Sequence, residues 1–154
     1  MSNPRPISEA QLRYFKPFIK WFTQCHLFLY KASDGKFFNR FGGGDVCLVK
    51  MKGAKSGEMR EFPLMHVPYK DGIVLVASLA GAPRHPVWYY NLIANPEIEV
   101  TANGHTSRYV ARLASAEEKP DIWPVCDAVY SDFALYRQRT ERDIPVFICE
   151  PAAP

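Results

Sequence analysis

Two stretches of this 154-residue chain combine residue types able to hold an anion and a flat ring. The first, Gly53-Ala54-Lys55-Ser56-Gly57-Glu58-Met59-Arg60, lies between two strand-like runs. Its glycines let backbone amides approach an anion closely, Ser56 can donate a hydrogen bond, and Lys55 and Arg60 can neutralise a phosphate or carboxylate, the arginine through its planar fork. The spacing is not that of a P-loop, and no helix obviously follows to receive a phosphate, so a plain hairpin with solvated charges is the competing reading. The second stretch, Ala77-Ser78-Leu79-Ala80-Gly81-Ala82-Pro83, leads into Arg84-His85-Pro86-Val87-Trp88-Tyr89-Tyr90-Asn91-Leu92, small residues followed by a helix crowded with rings. Small side chains let a heterocycle lie against the backbone, the helix start offers unpaired amides to an anionic oxygen, and Trp88 can cover a ring face. The alternative is that Trp88, Tyr89 and Leu92 only anchor the helix in the core. A third group, Tyr130, Phe133 and Tyr136, recurs every three residues and shares part of one helical face, as a pocket wall or as a core stripe.

The elements that must position these groups follow from periodicity and turn chemistry. Ser8 and Gln11 form a capping-box pattern before a helical run from Glu9 to about Lys31. Leu12, Phe15, Ile19, Phe22 and Leu29 fall near one face of it, with Phe18, Trp21, Cys25 and Phe28 widening the stripe, and Arg13, Lys16 and Lys20 add positive charge. That helix either packs on the rest of the domain or lies on an anionic membrane surface. Strand-like runs follow at Val46 to Met51, Phe62 to Tyr69 and Ile73 to Ala77, the last after a Lys70-Asp71-Gly72 turn. Pro86 opens a short helix that stops at Asn95-Pro96. Ile98 to Ala102 and Thr106 to Leu113 flank Asn103-Gly104, a strong hairpin signal. Ser115 with Glu118 caps a helix through about Tyr136, interrupted near Pro124, and Ile144 to Cys149 returns as a strand. One helix, a run of strands, short helices and a final strand indicate an α+β barrel in a single domain, residues 1–154, with residues 1–8 as a tail.

Composition narrows the chemistry. A formal charge of +3 with acids interspersed among the bases disfavours a nucleic-acid binder and leaves a local anion site. Cys25, Cys47, Cys126 and Cys149 contain no C-x-x-C pair and read as reduced and mostly buried, and His26, His66, His85 and His105 lack metal-ligand spacing, so no metal is expected. The start MSNPRP lacks the charged and apolar regions of a secretory signal, and no run is apolar enough to span a bilayer, which points to a cytoplasmic protein.

The runs G-A-K-S-G-E-M-R, P-L-M-H-V-P-Y-K-D-G, A-S-L-A-G-A-P, P-V-W-Y-Y-N-L-I-A-N-P and I-P-V-F-I-C-E-P occur in this order over roughly residues 15 to 151. Together they resemble the deazaflavin (F420)-dependent nitroreductase family, in particular the branch with the mycobacterial nitroimidazole-activating reductase. The resemblance implies a split β-barrel of mostly antiparallel strands, reduced F420 as hydride donor, and a nitroaromatic, quinone or activated alkene as acceptor. By motif it assigns Ala54, Lys55, Ser56 and Arg60 to the coenzyme's phosphate and acidic tail, and Phe62, Pro63, Leu64 and Met65 to its border. It puts Val76, Ala77, Ser78 and Leu79 beside the deazaflavin ring, with Val87, Trp88 and Asn91 completing that pocket. It also implies that Trp88, Tyr130, Phe133 and Tyr136 meet the acceptor, with Ser78, Tyr130 and Tyr136 as donors to the oxygen that gains charge. The resemblance places a tyrosine where this chain has Phe133, and that lost hydroxyl implies an apolar enone or fused-ring acceptor at least as readily as a nitroaromatic. An FMN-binding split-barrel oxidoreductase and a non-catalytic deazaflavin carrier are the alternatives.

Overall fold

The computed structural model describes residues 5–32, 40–41 and 43–153. Helix α1, Glu9–Ala32, begins with the expected reciprocal cap: the Gln11 amide donates to Ser8 Oγ at 3.2 Å, and the Ser8 amide to Gln11 Oε1 at 3.0 Å. Eight strands follow, β1 Arg40–Phe41, β2 Gly44–Lys52, β3 Met59–Met65, β4 Val67–Tyr69, β5 Gly72–Val76, β6 Glu97–Ala102, β7 His105–Leu113 and β8 Val146–Pro151. Helix α2, Val87–Ala94, separates β5 from β6, while α3, Lys119–Val129, and α4, Asp132–Arg139, separate β7 from β8.

All recorded pairings are antiparallel, in the order β1-β2-β6-β7-β8-β5-β4, with β3 on β2. Since only His66 lies between β3 and β4, the chain itself joins the two ends of this path, and the sheet curls into the split barrel. The turns obey local chemistry. Asn103 and Gly104 both take positive φ, 52° and 80°, as a two-residue hairpin requires. Lys70 at φ 51° makes the β4–β5 turn, whose flanking residues Tyr69 and Gly72 pair.

Strand pleating divides the apolar residues into two clusters. Cys47, Val49, Met51, Leu75, Val100 and Phe147 pack inside, joined by Trp88 and Leu92 of α2. Val67, Val74, Val146 and Ile148 point to the other face, covered by Ile122 and Cys126 of α3 and by Tyr130 and Phe133. Cys47, Cys126 and Cys149 are buried free thiols, and burial pushes each up to about 12.

The strand expected over Phe62 to Tyr69 is split at His66 into β3 and β4, which pair with different partners, and the C-terminal helix also departs from expectation. The long C-terminal helix breaks at Tyr130 and Ser131, not at Pro124, which lies within α3. Pro124 is exposed and so is Pro120, whose carbonyl would have been its partner, so water can serve the lost bond, whereas extended backbone at Tyr130, φ −145° and ψ 101°, turns that buried ring into the second cluster. Of the α1 stripe, Phe15 is 48%, Trp21 63% and Phe28 70% exposed, and Tyr14 beside it is 80% exposed. The side chains of Phe18, Ile19, Phe22 and Leu29 lie outside the described residues. Among the described residues no helix is long and apolar enough to cross a membrane.

Gly72 marks the closest approach of β5 to β8, for a Cβ there would lie 1.9 Å from the Cys149 carbonyl oxygen. Gly72→Ala should destabilise the fold by about 2 to 3 kcal/mol, as overpacking against backbone does. In thermal unfolding followed by circular dichroism this is a fall in Tm of roughly 5 to 10 °C for a domain of this size.

Candidate active site

The Gly53–Arg60 stretch is the β2–β3 hairpin. The Gly53 amide donates to the Glu58 carbonyl at 2.8 Å, the Gly57 amide to the Gly53 carbonyl at 3.0 Å, and Gly57 takes φ 69°, so the glycines serve the turn. Ser56 Oγ accepts the Glu58 amide at 3.2 Å and keeps its own proton for a ligand. Ala54, Lys55 and Ser56 are exposed, and among the described residues Arg60 meets only exposed Glu58 at 3.3 Å, a weak pair that an incoming anion can displace. Asn91 ties this hairpin to α2. It is buried on that helix, which also carries Trp88, and its Oδ1 accepts the Ala54 amide at 2.9 Å.

Further along β3 the barrel opens into a cleft of about 340 Å³. This is within the range of small-molecule sites. One side is formed by Pro63, Leu64 and Met65 of β3 with Val76 of β5, another by the turn bearing Ser78 and Leu79, and a third by Trp88. Tyr130, Phe133 and Tyr136 complete it, so both sequence-derived ring groups meet at one place. The cleft therefore opens where the two buried clusters join, Trp88 belonging to one and Tyr130 with Phe133 to the other. Besides the hairpin residues Ala54, Lys55, Ser56 and Arg60, four sequence-derived residues do not line it. Phe62 packs against the inner cluster, Ala77 is wholly buried within it, Val87 is 69% exposed, and Asn91 supports the hairpin. Val46, Ala80 and Pro86 line the cleft without having been singled out. Ala80 and Pro86 belong to the A-S-L-A-G-A-P and P-V-W-Y-Y-N-L-I-A-N-P runs, while Val46 is an ordinary strand valine whose position depends on the curl of the sheet.

The residues after Ala77 have unusual backbone. Ser78 is right-handed at φ −76° and ψ −38°, then Leu79, Ala80 and Gly81 take positive φ of 45°, 54° and 78°. Gly81 is necessary, since a Cβ there would lie 2.7 Å from the Tyr136 carbonyl oxygen of α4. Sequence reasoning missed the residue that secures this turn. Arg142 Nε donates to the Ala82 carbonyl at 2.8 Å, and its Nη2 to the Ser78 and Ala77 carbonyls at 2.6 and 3.2 Å. Its Nη1 lies 3.0 Å from His85 Nδ1. Burial, with the Arg142 charge adding to it, lowers the His85 pKa, which keeps the ring neutral and able to accept at Nδ1. Arg139 Nη1 reaches the Ala80 carbonyl at 3.3 Å.

Across the cleft, the Tyr130 hydroxyl lies 3.0 Å from that of Tyr136 and 3.2 Å from Asp132 Oδ2. Burial first, then the bond with Tyr136, raises the Tyr130 pKa, so it stays a neutral phenol. Tyr130 has one proton. If it goes to Tyr136, the Tyr136 proton is free for a ligand, and Asp132, exposed to water, does not suffer. The Arg137–Asp127 bridge, at 2.6 and 2.9 Å, holds α4 against α3 across the break and stacks near Trp123, 4.1 Å from its ring centre. Among the described residues the Ser78 hydroxyl has no hydrogen-bond partner in the chain, although Ser78 is only 8% exposed and lines the cleft.

Comparison with known proteins accounts for this arrangement. The family model of F420H(2)-dependent quinone reductases matches residues 22–151. An F420H(2)-dependent quinone reductase of Mycobacterium tuberculosis is 30% identical over 130 residues, covering 81% of this chain and 87% of that protein. The solved structure of an F420-H2 dependent reductase, FDR-A, is 39% identical with a TM-score of 0.64, covering 68% of this chain and 93% of the other. A more distant likeness to the heme storage protein HutZ of Vibrio cholerae, 14% identical with a TM-score of 0.52, concerns the fold alone. With the model spanning most of the chain and the curled sheet shared, the chain belongs to the F420H(2)-dependent quinone reductase family and is an oxidoreductase that takes its hydride from reduced F420.

Proposed function

We propose that this chain reduces a quinone in the cleft beneath Ser78 and Tyr136 while the hairpin 53–60 holds the coenzyme's anionic tail. One arrangement carries the reading: β3 runs from the cations of the hairpin to the wall of the cleft, and Arg60 and Leu64 are about 13 Å apart along it. The donor chemistry fits such a coenzyme at both ends. Lys55, Ser56 and Arg60 suit a phosphate and carboxylates, and apolar Pro63, Leu64, Met65, Val76 and Leu79 with Trp88 suit a flat ring. When bound, reduced F420 supplies a hydride, so that a quinone plus that hydride and one solvent-derived proton becomes a hydroquinone and the coenzyme is left oxidised.

The chain's own residues bind, orient and donate. Ser78 offers its uncommitted hydroxyl to the acceptor oxygen as charge develops there, and Tyr136 offers its proton when Tyr130 donates to it. Trp88 and Phe133 keep water from the ring faces, and Phe133, a ring without a hydroxyl, favours apolar fused-ring acceptors over nitroaromatics.

Purified protein titrated with F420 and with FMN, then assayed with a quinone, an enone and a nitroaromatic, tests this reading. Tight F420 binding with the quinone reduced fastest is the expected result. Binding of FMN alone, or of F420 with no acceptor reduced, would overturn it. In the same assay Phe133→Tyr adds one polar contact worth about 0.5 to 1.5 kcal/mol, so the nitroaromatic-to-quinone rate ratio should rise several-fold at nearly constant coenzyme affinity. An unchanged ratio would make Phe133 a packing residue only.

Lys55→Ala with Arg60→Ala should weaken F420 binding about tenfold at low salt, two charge-assisted contacts being lost at an exposed site. The gap should narrow as salt rises, since screening already weakens the parent's pairs at a Debye length of about 8 Å. Fluorescence titration at two ionic strengths reads this, and equal affinity at low salt would remove the assignment.

The exposed rings of α1 favour peripheral contact with a membrane, since Tyr14, Phe15, Trp21 and Phe28 share that helix with Arg13, Lys16 and Lys20. The protein should co-sediment with anionic vesicles, release in high salt, and ignore neutral vesicles. Equal partition between the two vesicle types would count against this contact.

A further inference from the structure

The carbonyls held by Arg142 determine where the opposite ends of the same peptides point. No peptide in the described chain is cis, so each carbonyl and the N–H that follows it are antiparallel across one plane. The Ala77 and Ser78 carbonyls point to Arg142 at 3.2 and 2.6 Å, so the amides of Ser78 and Leu79 point away from it. Those two amides find no acceptor among the described residues, whereas the next amides in the turn do: Gly81 donates to Ser78 O and Ala82 to Leu79 O, both at 3.0 Å. Ser78 in the right-handed region followed by Leu79 in the left-handed one is the backbone sequence of an anion-binding nest, in which successive N–H groups converge. The cleft is lined by Ser78, Leu79 and Ala80, and beside these amides the Ser78 hydroxyl has no partner among the described residues.

Left-handed backbone at Leu79 and Ala80 is strained for side chains of these types and persists only if the surroundings impose it. Arg142 does so from a position 65 residues away from Ala77 in sequence, and no carboxylate competes for its guanidinium among the described residues. Lysine at this place would keep the charge but not the planar fork, which reaches Ala77, Ser78, Ala82 and His85 at once.

We infer that Arg142 is a positioning residue: by gathering the carbonyls of Ala77, Ser78 and Ala82 behind the turn, it presents the Ser78 and Leu79 amides and the Ser78 hydroxyl to the cleft as a receptor for the acceptor oxygen that gains negative charge. The inference rests on the reading of this cleft as the acceptor site. It adds two backbone donors to the side chains already named and explains why a strained turn stands beside the reacting atoms. Donors fixed in advance stabilise developing charge without reorganising when it appears.

The test compares the parent with Arg142→Met and Arg142→Lys, each first checked for folding by its melting temperature. Without coenzyme, binding of a hydroxynaphthoquinone that is anionic at neutral pH and of its neutral methyl ether is read by quenching of tryptophan fluorescence. The parent should prefer the anion, and both variants should lose about tenfold of that preference. With reduced F420 and a quinone, kcat should fall about 100-fold in both, with KM changed much less. A parent with no preference, or an Arg142→Lys protein that keeps the parent's preference, would overturn the inference, the latter because charge alone would then suffice. If F420 affinity falls by the same factor as the anion preference, the nest serves the coenzyme, and the assignment to the acceptor is wrong. Should Arg142→Met fail to fold, Arg142→Lys decides. A parent that shows the anion preference but reduces no quinone would refute the proposed function while leaving the nest in place.

Discussion

Between Met65 and Val67 a continuous stretch of chain gives up its hydrogen bonds to β2 and takes up those to β5, and the positions of the site's parts follow from that exchange. Buried backbone groups must be paired, so a strand can change partners only where the groups left over at the bend are served. The His66 amide meets this need by donating to the Asp45 carbonyl at 2.8 Å. The bend brings the end of β3 near the end of β5, where Val76 and the Ser78 turn begin. It also sends the start of β3 away toward solvent, where the hairpin carries Lys55 and Arg60. A polar tail grip and an apolar ring site thus share one strand, held apart by the rigid rise of its backbone.

The cleft exists because the two apolar clusters do not merge. Phe147, Met51 and Leu75 fill the barrel interior, and Ile122, Cys126 and Val146 fill the space under α3 and α4. Each large side chain so buried contributes about 1.5 to 3 kcal/mol, which is enough for both clusters to remain dense while their junction remains open. Trp88 and Phe133 each face that junction from a different cluster, so the cleft is walled by side chains that packing has already fixed. Rigid walls of this kind are what orient a ring without further ordering at the moment of binding.

The cations divide into two kinds of work. Lys55 and Arg60 stand in water, where their interactions are screened until an anion arrives. Arg142 is half-buried against carbonyl oxygens, and burial lowers its pKa only in part because Tyr90 opposes the shift. There each bond is charge-assisted and less screened, so the arginine acts on the backbone permanently. The same residue type therefore recognises a ligand at one end of the site and shapes the protein at the other.

What the sequence determined alone was everything governed by near neighbours. The Asn103-Gly104 turn, the caps at Ser8 and Ser115, the start of α2 after Pro86 and the strand runs from Val46 onward are each set by residues a few positions apart, and the structure has them with shifts of a residue or three, except that the run Phe62 to Tyr69 divides at His66 into two strands. The ordered motifs also identified the family, because they quote the segments that line the cleft. Tertiary structure decided what depends on residues brought together from far along the chain. Asn91, read as a coenzyme contact, has its Oδ1 engaged by the Ala54 amide 37 residues away, a tie that spacing along the chain does not carry. Val46 joins the cleft only through the curl of the sheet, and the helix breaks at Tyr130 because that ring has a cluster to enter. No motif marks Arg142 in the sequence, and only the fold sets four acceptors around it. A guanidinium's partners are chosen by distance and direction in space, and neither quantity is carried by spacing along the chain.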